Sequence, residues 1–214
     1  MISCAALLFD MDGLMVDSEP LWFDVERGFA RERGGDWTAE HALACTGQGM
    51  ANTLRVMHER LGLVVDVDRD EAEIVRRFMS RVAELELKAG FLELFDAACA
   101  RGLPRALASS SPLRLVQATA TRFGLLARFG AVVSGDCVAR PKPAPDIFVE
   151  AARRLGVPAD ACVVLEDSLA GMRAGRAAGM RVIGVPEAVV PEMRSLADAI
   201  VGDLHEARAL LTFA

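Results

Sequence analysis

Apolar and polar positions follow two rhythms along the chain. Short, near-continuous apolar runs stand at AALLF (5–9), RALAS (105–109), AVVS (131–134), CVVLE (162–166) and RVIGV (181–185), with a weaker one at AIVG (199–202). Runs this short and this uniformly apolar predict strands buried on both faces. Between most of them lie amphipathic stretches at 91–101, 112–122, 144–155 and 168–178, which predict helices. The alternation predicts an α/β fold, a Rossmann-like parallel sheet covered by helices on both sides.

One interval breaks the alternation. EPLWFDVERGFARERGG, AEHALACTG, MANTLRVMHERLG and DEAEIVRRFMSRVAELEL all space their apolar residues as helices do, and no strand signal falls among them. An insert of about 70 residues is too long for a crossover connection. The expectation is an inserted all-helical cap domain, 16–87, within a discontinuous core of 1–15 and 88–214. GLMVDSEP and LELKAG would be its hinges.

Composition narrows the class. The chain has 214 residues, 52% hydrophobic and 25% charged, which fits a globular protein and excludes a disordered one. A net charge of −6 argues against nucleic acid or an anionic membrane surface as a partner. Any anionic ligand needs a locally positive site. Five cysteines without a C-x-x-C indicate neither a zinc site nor a disulfide framework, and Cys4 and Cys162 read as small core residues. A reducing cytoplasm is expected. No apolar run reaches the roughly 18 residues of a membrane span. The opening MISCAALLFD lacks a basic segment and ends in an acid, so it reads as a strand and not as a signal peptide.

The strand ends hold the candidate chemistry. In a parallel α/β sheet, ligands bind at the carboxyl ends of the strands. Asp10 ends the first strand, Asp12 returns to the same side two residues on, and Gly13 permits a tight turn. The second strand ends in ASSSP, with Ser109 and Ser110 as hydroxyl and backbone donors and Ser111 as the expected helix cap. After the third, Lys142 sits between prolines in RPKPAPDIF. The fourth ends in LEDSLAG, presenting Glu166 and Asp167 with Ser168 as a cap. Acids, hydroxyl and lysine together suit a hard cation and a phosphate. One aspartate would attack phosphorus while its neighbour shuttles protons.

FDMDGLMVDSEP, LASSSP, RPKPAPDIF and VVLEDSLAGMRAGRAAGM stand in an order that resembles the haloacid dehalogenase superfamily, in its branch of capped phosphatases and β-phosphoglucomutase-like enzymes. The resemblance covers almost the whole chain. It implies Asp10 as nucleophile, Asp12 as general acid/base, and Ser109 and Lys142 on the transferring phosphoryl group. It also implies Mg2+ held by Asp10, Asp167 and the main-chain carbonyl of Asp12, with Glu166 placed to help directly or through water. The activity implied is an Mg2+-dependent phosphatase that hydrolyses a small phosphorylated metabolite, a sugar phosphate among the candidates, through an aspartyl phosphate.

Three other readings stand beside it. A sugar phosphomutase shares the core, but such relatives carry a histidine at the hinge position that here is Trp22. Dehalogenase relatives lack an acid equivalent to Asp12 and need no metal. A non-enzymatic phospho-receiver carries its acidic pair and its acceptor aspartate in a different strand order and has no helical insert.

The remaining features read more blandly. Phe23 reads as cap packing, and Trp22 lies near enough to the hinge to line the substrate space. CTGQGMANT (45–53) is either a helix–helix turn or a specificity loop, which makes Gly47 and Gln48 substrate-binding candidates. DVDRDE (66–71) lacks the glycine and the final glutamate of a calcium loop and reads as a solvated acidic turn. His41, His58, His205, Arg76 and Arg77 read as surface residues. A monomer suffices for such a site, and nothing in the sequence forbids a dimer.

Overall fold

The computed structural model describes residues 1–213. β1 (Ile2–Cys4) and β2 (Ala6–Phe9) are followed by α1 (Glu19–Glu32), α2 (Ala39–Cys45), α3 (Met50–Leu61), α4 (Val67–Met79) and α5 (Phe91–Ala100). Then come β3 (Arg105–Ser109), α6 (Leu113–Arg122), β4 (Ala131–Ser134), α7 (Asp146–Leu155), β5 (Cys162–Glu166), α8 (Leu169–Ala177) and β6 (Arg181–Gly184). The chain closes with α9 (Met193–Leu196), β7 (Ala199–Ile200), α10 (Leu204–Leu210) and β8 (Leu211–Phe213).

Six strands form one parallel sheet in the order β4-β3-β2-β5-β6-β7. The fold class is the expected one: a parallel α/β sheet with a helical insert after the first of its strands. From β2 the chain builds outward to β4, then returns to place β5 on the other side of β2. That reversal opens a crevice at the carboxyl ends of β2 and β5.

Alternation along β2 splits the core into two layers. Leu7 and Phe9 face one cluster, where the Phe9 ring meets Phe91 edge-on at 5.5 Å between centroids and Phe95 at 6.0 Å. Ala6 and Leu8 face the other, with Ile147 and Phe148 of α7.

The strand expected at 5–9 is found as β2, and a further short strand precedes it: residues 2–4 stand outside the main sheet and pair in parallel with β8. The expected helix 70–87 also differs. α4 begins earlier, because the Asp66 side chain caps it by accepting from the Arg69 N–H at 3.1 Å, and it ends at Met79. DVDRDE is therefore a helix start and not a solvated turn. Its Asp70 is fully buried, accepting from the Asp66 N–H and from Arg69.

In the insert α1 packs on α4, and α3 on both α2 and α4. Both of its connections to the core run side by side: Asp17 N donates to Glu86 O at 2.9 Å and Lys88 N to Met15 O at 3.0 Å. Among the described residues, no helix is long and apolar enough to cross a membrane.

Candidate active site

Asp10 leaves β2 still bonded to the sheet, its N–H donating to Leu165 O at 3.1 Å. The chain then turns at once. Gly13 adopts φ +79°, and its N–H donates to Val16 O at 2.9 Å. Only glycine takes that φ without strain. A Cβ at Gly13 would also lie 2.2 Å from Asp167 Oδ2. The turn thus brings the end of β2 against the end of β5.

Lys142 reaches the same place from the loop after β4. The residue is 2% exposed, and its ammonium donates to Asp10 Oδ1, to Glu166 Oε1 at 2.6 Å and to Ala108 O at 3.1 Å. Burial opposes its charge, but Asp10 and Glu166 outweigh that and hold it above the ordinary lysine range. Glu166 Oε2 accepts from both the N–H and the hydroxyl of Ser168, each at 2.9 Å. Ser168 also caps α8 as expected, accepting from Gly171 N–H at 3.0 Å.

Oxygens of Asp10, Glu166 and Asp167 all lie within 4.8 Å of one another. Burial pushes the Asp10 carboxyl well above its usual range; Lys142 counters it, and Glu166 and Asp12 add to it. Asp167 is pushed up by burial, then by Glu166, Asp10 and Glu19. Three carboxylates against one ammonium leave an excess of two negative charges, which a divalent cation balances. This donor set of oxygens fits a hard cation such as Mg2+.

Asp12 faces the crevice and is held from four directions. Ser18 Oγ and Trp22 Nε1 each donate to its Oδ1 at 2.9 Å, and Ser109 Oγ and Ser111 Oγ donate to its Oδ2 at 3.2 and 2.8 Å. Ser18 stands at the N-cap of α1 but makes no side-chain cap bond, because its hydroxyl goes to Asp12. Ser111 is likewise not the cap expected from sequence. Asp136 Oδ2 takes that role for α6, accepting from Leu113 N–H at 2.6 Å.

Above these groups lies a cavity of about 80 Å³ between the sheet ends and the insert, lined by Asp10, Asp12, Ser109 and Ser110 below. The loop between α2 and α3 closes it. Gly47 takes φ +78°, its carbonyl accepts from Ser110 Oγ at 3.1 Å, and a Cβ there would lie 2.4 Å from Ser168 Oγ. Gly47 lines the cavity, as do Trp22 and Phe23. Gln48 does not; its Nε2 donates back to Ala44 O at 2.8 Å.

Glu19 and Glu26 also line the cavity, and neither was among the residues singled out in the sequence. The signal was present: 19, 22, 23 and 26 follow the i, i+3, i+4, i+7 spacing of one helix face. Burial pushes Glu26 up to about 8, with Glu19 adding to the shift and the Trp37 hydrogen bond opposing it. Burial, and then Asp12, push Glu19 up to about 7.

Residues 4–179 match the family model described as a haloacid dehalogenase-like hydrolase. Hexitol phosphatase B of Escherichia coli K12 is 34% identical over 219 residues, covering 95% of this chain and 94% of that protein. The phosphorylated carbohydrates phosphatase of Thermotoga maritima is 30% identical over 84% of each chain. A mutant of CbbY from Rhodobacter sphaeroides, crystallised with xylulose-(1,5)bisphosphate, superposes with a TM-score of 0.83 at 30% identity, covering 95% of this chain and 96% of that one.

Proposed function

The chain belongs to the haloacid dehalogenase-like hydrolases, and from that premise we propose that it is an Mg2+-dependent phosphatase acting on small sugar or sugar-alcohol phosphates. The observation that carries the reading is the pairing at the end of β2. Asp10 lies over Lys142 with Glu166 and Asp167 beside it, while Asp12 is turned into the cavity by Ser18, Trp22, Ser109 and Ser111. Relatives named for hexitols and phosphorylated carbohydrates support the substrate class.

In this reading the Asp10 carboxylate attacks phosphorus and the bond to the ester oxygen breaks. Asp12 gives its proton to the departing alkoxide, leaving the alcohol and an aspartyl phosphate. Water then attacks that phosphorus, Asp12 takes back a proton, and phosphate leaves with Asp10 restored. Asp10, Asp167 and the carbonyl of Asp12 would hold Mg2+, with Glu166 beside them; the ion would offset phosphoryl charge. Lys142 counters the rise that burial imposes on the Asp10 carboxyl and adds positive charge beneath the phosphoryl group. Ser109 and Ser110 border the phosphoryl position. Residues 16–87 act as the cap, which excludes bulk water during transfer. The groups proposed for the site lie within one chain, so a monomer suffices for the reaction.

The test is phosphate release from sugar phosphates, hexitol phosphates, phosphoglycolate and nucleotides, with Mg2+ and with EDTA, beside Asp10→Asn. Metal-dependent release that is lost in Asp10→Asn is expected. Interconversion of glucose 1- and 6-phosphates without phosphate release would replace the phosphatase by a mutase.

A further inference from the structure

The wall of the cavity opposite the sheet is the face of α1 that carries Glu19, Trp22, Phe23 and Glu26. Of the two acids on this face, Glu26 is the buried one. Trp37 Nε1 donates to Glu26 Oε2 at 2.9 Å, while Oε1 takes no hydrogen bond from the described residues. Glu19 Oε2 accepts from Thr46 Oγ1 at 3.5 Å, a long and weak contact that leaves the carboxylate free to take a better donor. Thr53 adds a hydroxyl to the same wall.

No lysine, arginine or histidine is among the described residues that line the cavity. Lys142 lies beneath Asp10 and is fully committed to Asp10, Glu166 and Ala108. The far end of a bound substrate therefore meets two carboxyl groups, two threonine hydroxyls and two aromatic faces. Carboxyl oxygens accept strong hydrogen bonds from hydroxyl groups, and aromatic faces cover C–H surface. A second phosphate or a carboxylate there would sit beside two acids in a water-poor cavity with no cation to pair with.

We propose that Glu19 and Glu26 are specificity residues that hold hydroxyl groups at the far end of the substrate and reject a second anionic group. The protein then takes monophosphates of neutral sugars or sugar alcohols and discriminates against bisphosphates. The inference rests on the phosphatase reading above. It separates this chain from the CbbY mutant, whose bound sugar carries a second phosphate.

The experiment measures kcat/KM for glucose 6-phosphate and for glucose 1,6-bisphosphate, with p-nitrophenyl phosphate in the same assay. At pH 9, above the values of about 7 and about 8 to which burial pushes Glu19 and Glu26, both acids are ionised and wild type should favour the monophosphate by at least about tenfold, the effect of like charges brought together. Glu26→Gln and Glu19→Gln should raise KM for the monophosphate and narrow the ratio, the double variant most. Equal turnover of the two sugar esters by wild type overturns the proposal, while release from p-nitrophenyl phosphate keeps the phosphatase reading intact. A purely structural role for the two acids would lower both rates together at constant ratio, and that result overturns it too. Should a variant lose its melting transition, the wild-type ratio decides alone. If no ester is hydrolysed, both readings fall.

Discussion

Trp22 Nε1 donates to Asp12 Oδ1 at 2.9 Å, and the same indole stacks on Phe78 of α4 with ring centroids 4.0 Å apart. One side chain thus joins the packing of the insert to the carboxylate at the sheet end. Trp22→Phe keeps the stacked ring and removes the donor. A hydrogen bond to a charged group is worth about 1.5–3 kcal/mol. If it acts on the orientation of Asp12 during proton transfer, kcat should fall by roughly ten- to a hundredfold. KM should change less, and the melting temperature little. Steady-state kinetics at saturating substrate decides; an unchanged kcat would leave the indole a packing role only.

The acidic cluster makes a prediction about metal. Mg2+ at about a hundred times its dissociation constant should stabilise the fold by about 2.7 kcal/mol. EDTA should reverse that shift and stop turnover. Asp167→Asn removes one carboxylate of the three that converge within 4.8 Å, so the shift should shrink or vanish. A thermal-shift titration that finds the same Mg2+ effect in Asp167→Asn as in wild type would put the ion elsewhere.

Lys142 is the one cation of this cluster, 2% exposed and bonded to both Asp10 and Glu166. Lys142→Met leaves two buried carboxyl groups facing each other without a partner. Breaking a buried pair in this way costs about 3–5 kcal/mol. Urea unfolding should show the loss, and activity should disappear with it. A variant as stable as wild type would mean that the acids are relieved by protonation at little cost.

Two helical glycines should respond to alanine with opposite signs. At Gly28, in α1, a Cβ would meet nothing within 4 Å, so Gly28→Ala should stabilise by up to about 1 kcal/mol. At Gly171, in the first turn of α8, a Cβ would lie 1.7 Å from Glu166 Oε1. Glu166 would have to move away from Lys142 and Ser168. Gly171→Ala should therefore lower the melting temperature and weaken Mg2+ binding despite better helix propensity. Paired melts, with and without Mg2+, test both signs.

The sheet strands were legible because a strand buried on both faces leaves a continuous apolar run; 105–109, 131–134 and 162–166 stand where the runs do. Their parallel pairing explains why Asp10, Ser109 and Glu166, far apart in sequence, end at one crevice. Short elements were not legible. β1 and β8 have three residues each, too few for a period, and they pair across almost the whole chain. Ser111 reads locally as a cap, but its hydroxyl goes to Asp12, 99 residues away. Glu26 looks like any polar position of an amphipathic helix until Trp37 covers it.

That covering makes Glu26 a probe of pH. Its carboxyl sits at about 8 in the fold, against an ordinary value of 4.5, because burial disfavours the charge more than the Trp37 hydrogen bond relieves it. A raised acid destabilises the fold as pH rises. Below about pH 4.5 the group is protonated folded and unfolded, and it costs nothing. Between about 4.5 and 8 the unfolded chain ionises first, so the folded state loses ground steadily. Above about 8 both forms are ionised and the loss is constant, on the order of a few kcal/mol. A glutamine in place of Glu26 would keep an oxygen for the indole and carry no charge. Glu26→Gln should therefore melt with wild type near pH 5 and above it at pH 8, the gap opening between those values. Comparing the two proteins at each pH cancels the titrations of Asp10 and Asp167 that they share. A gap that stays flat with pH would mean that Glu26 is ionised in the fold, with its charge met through the cavity.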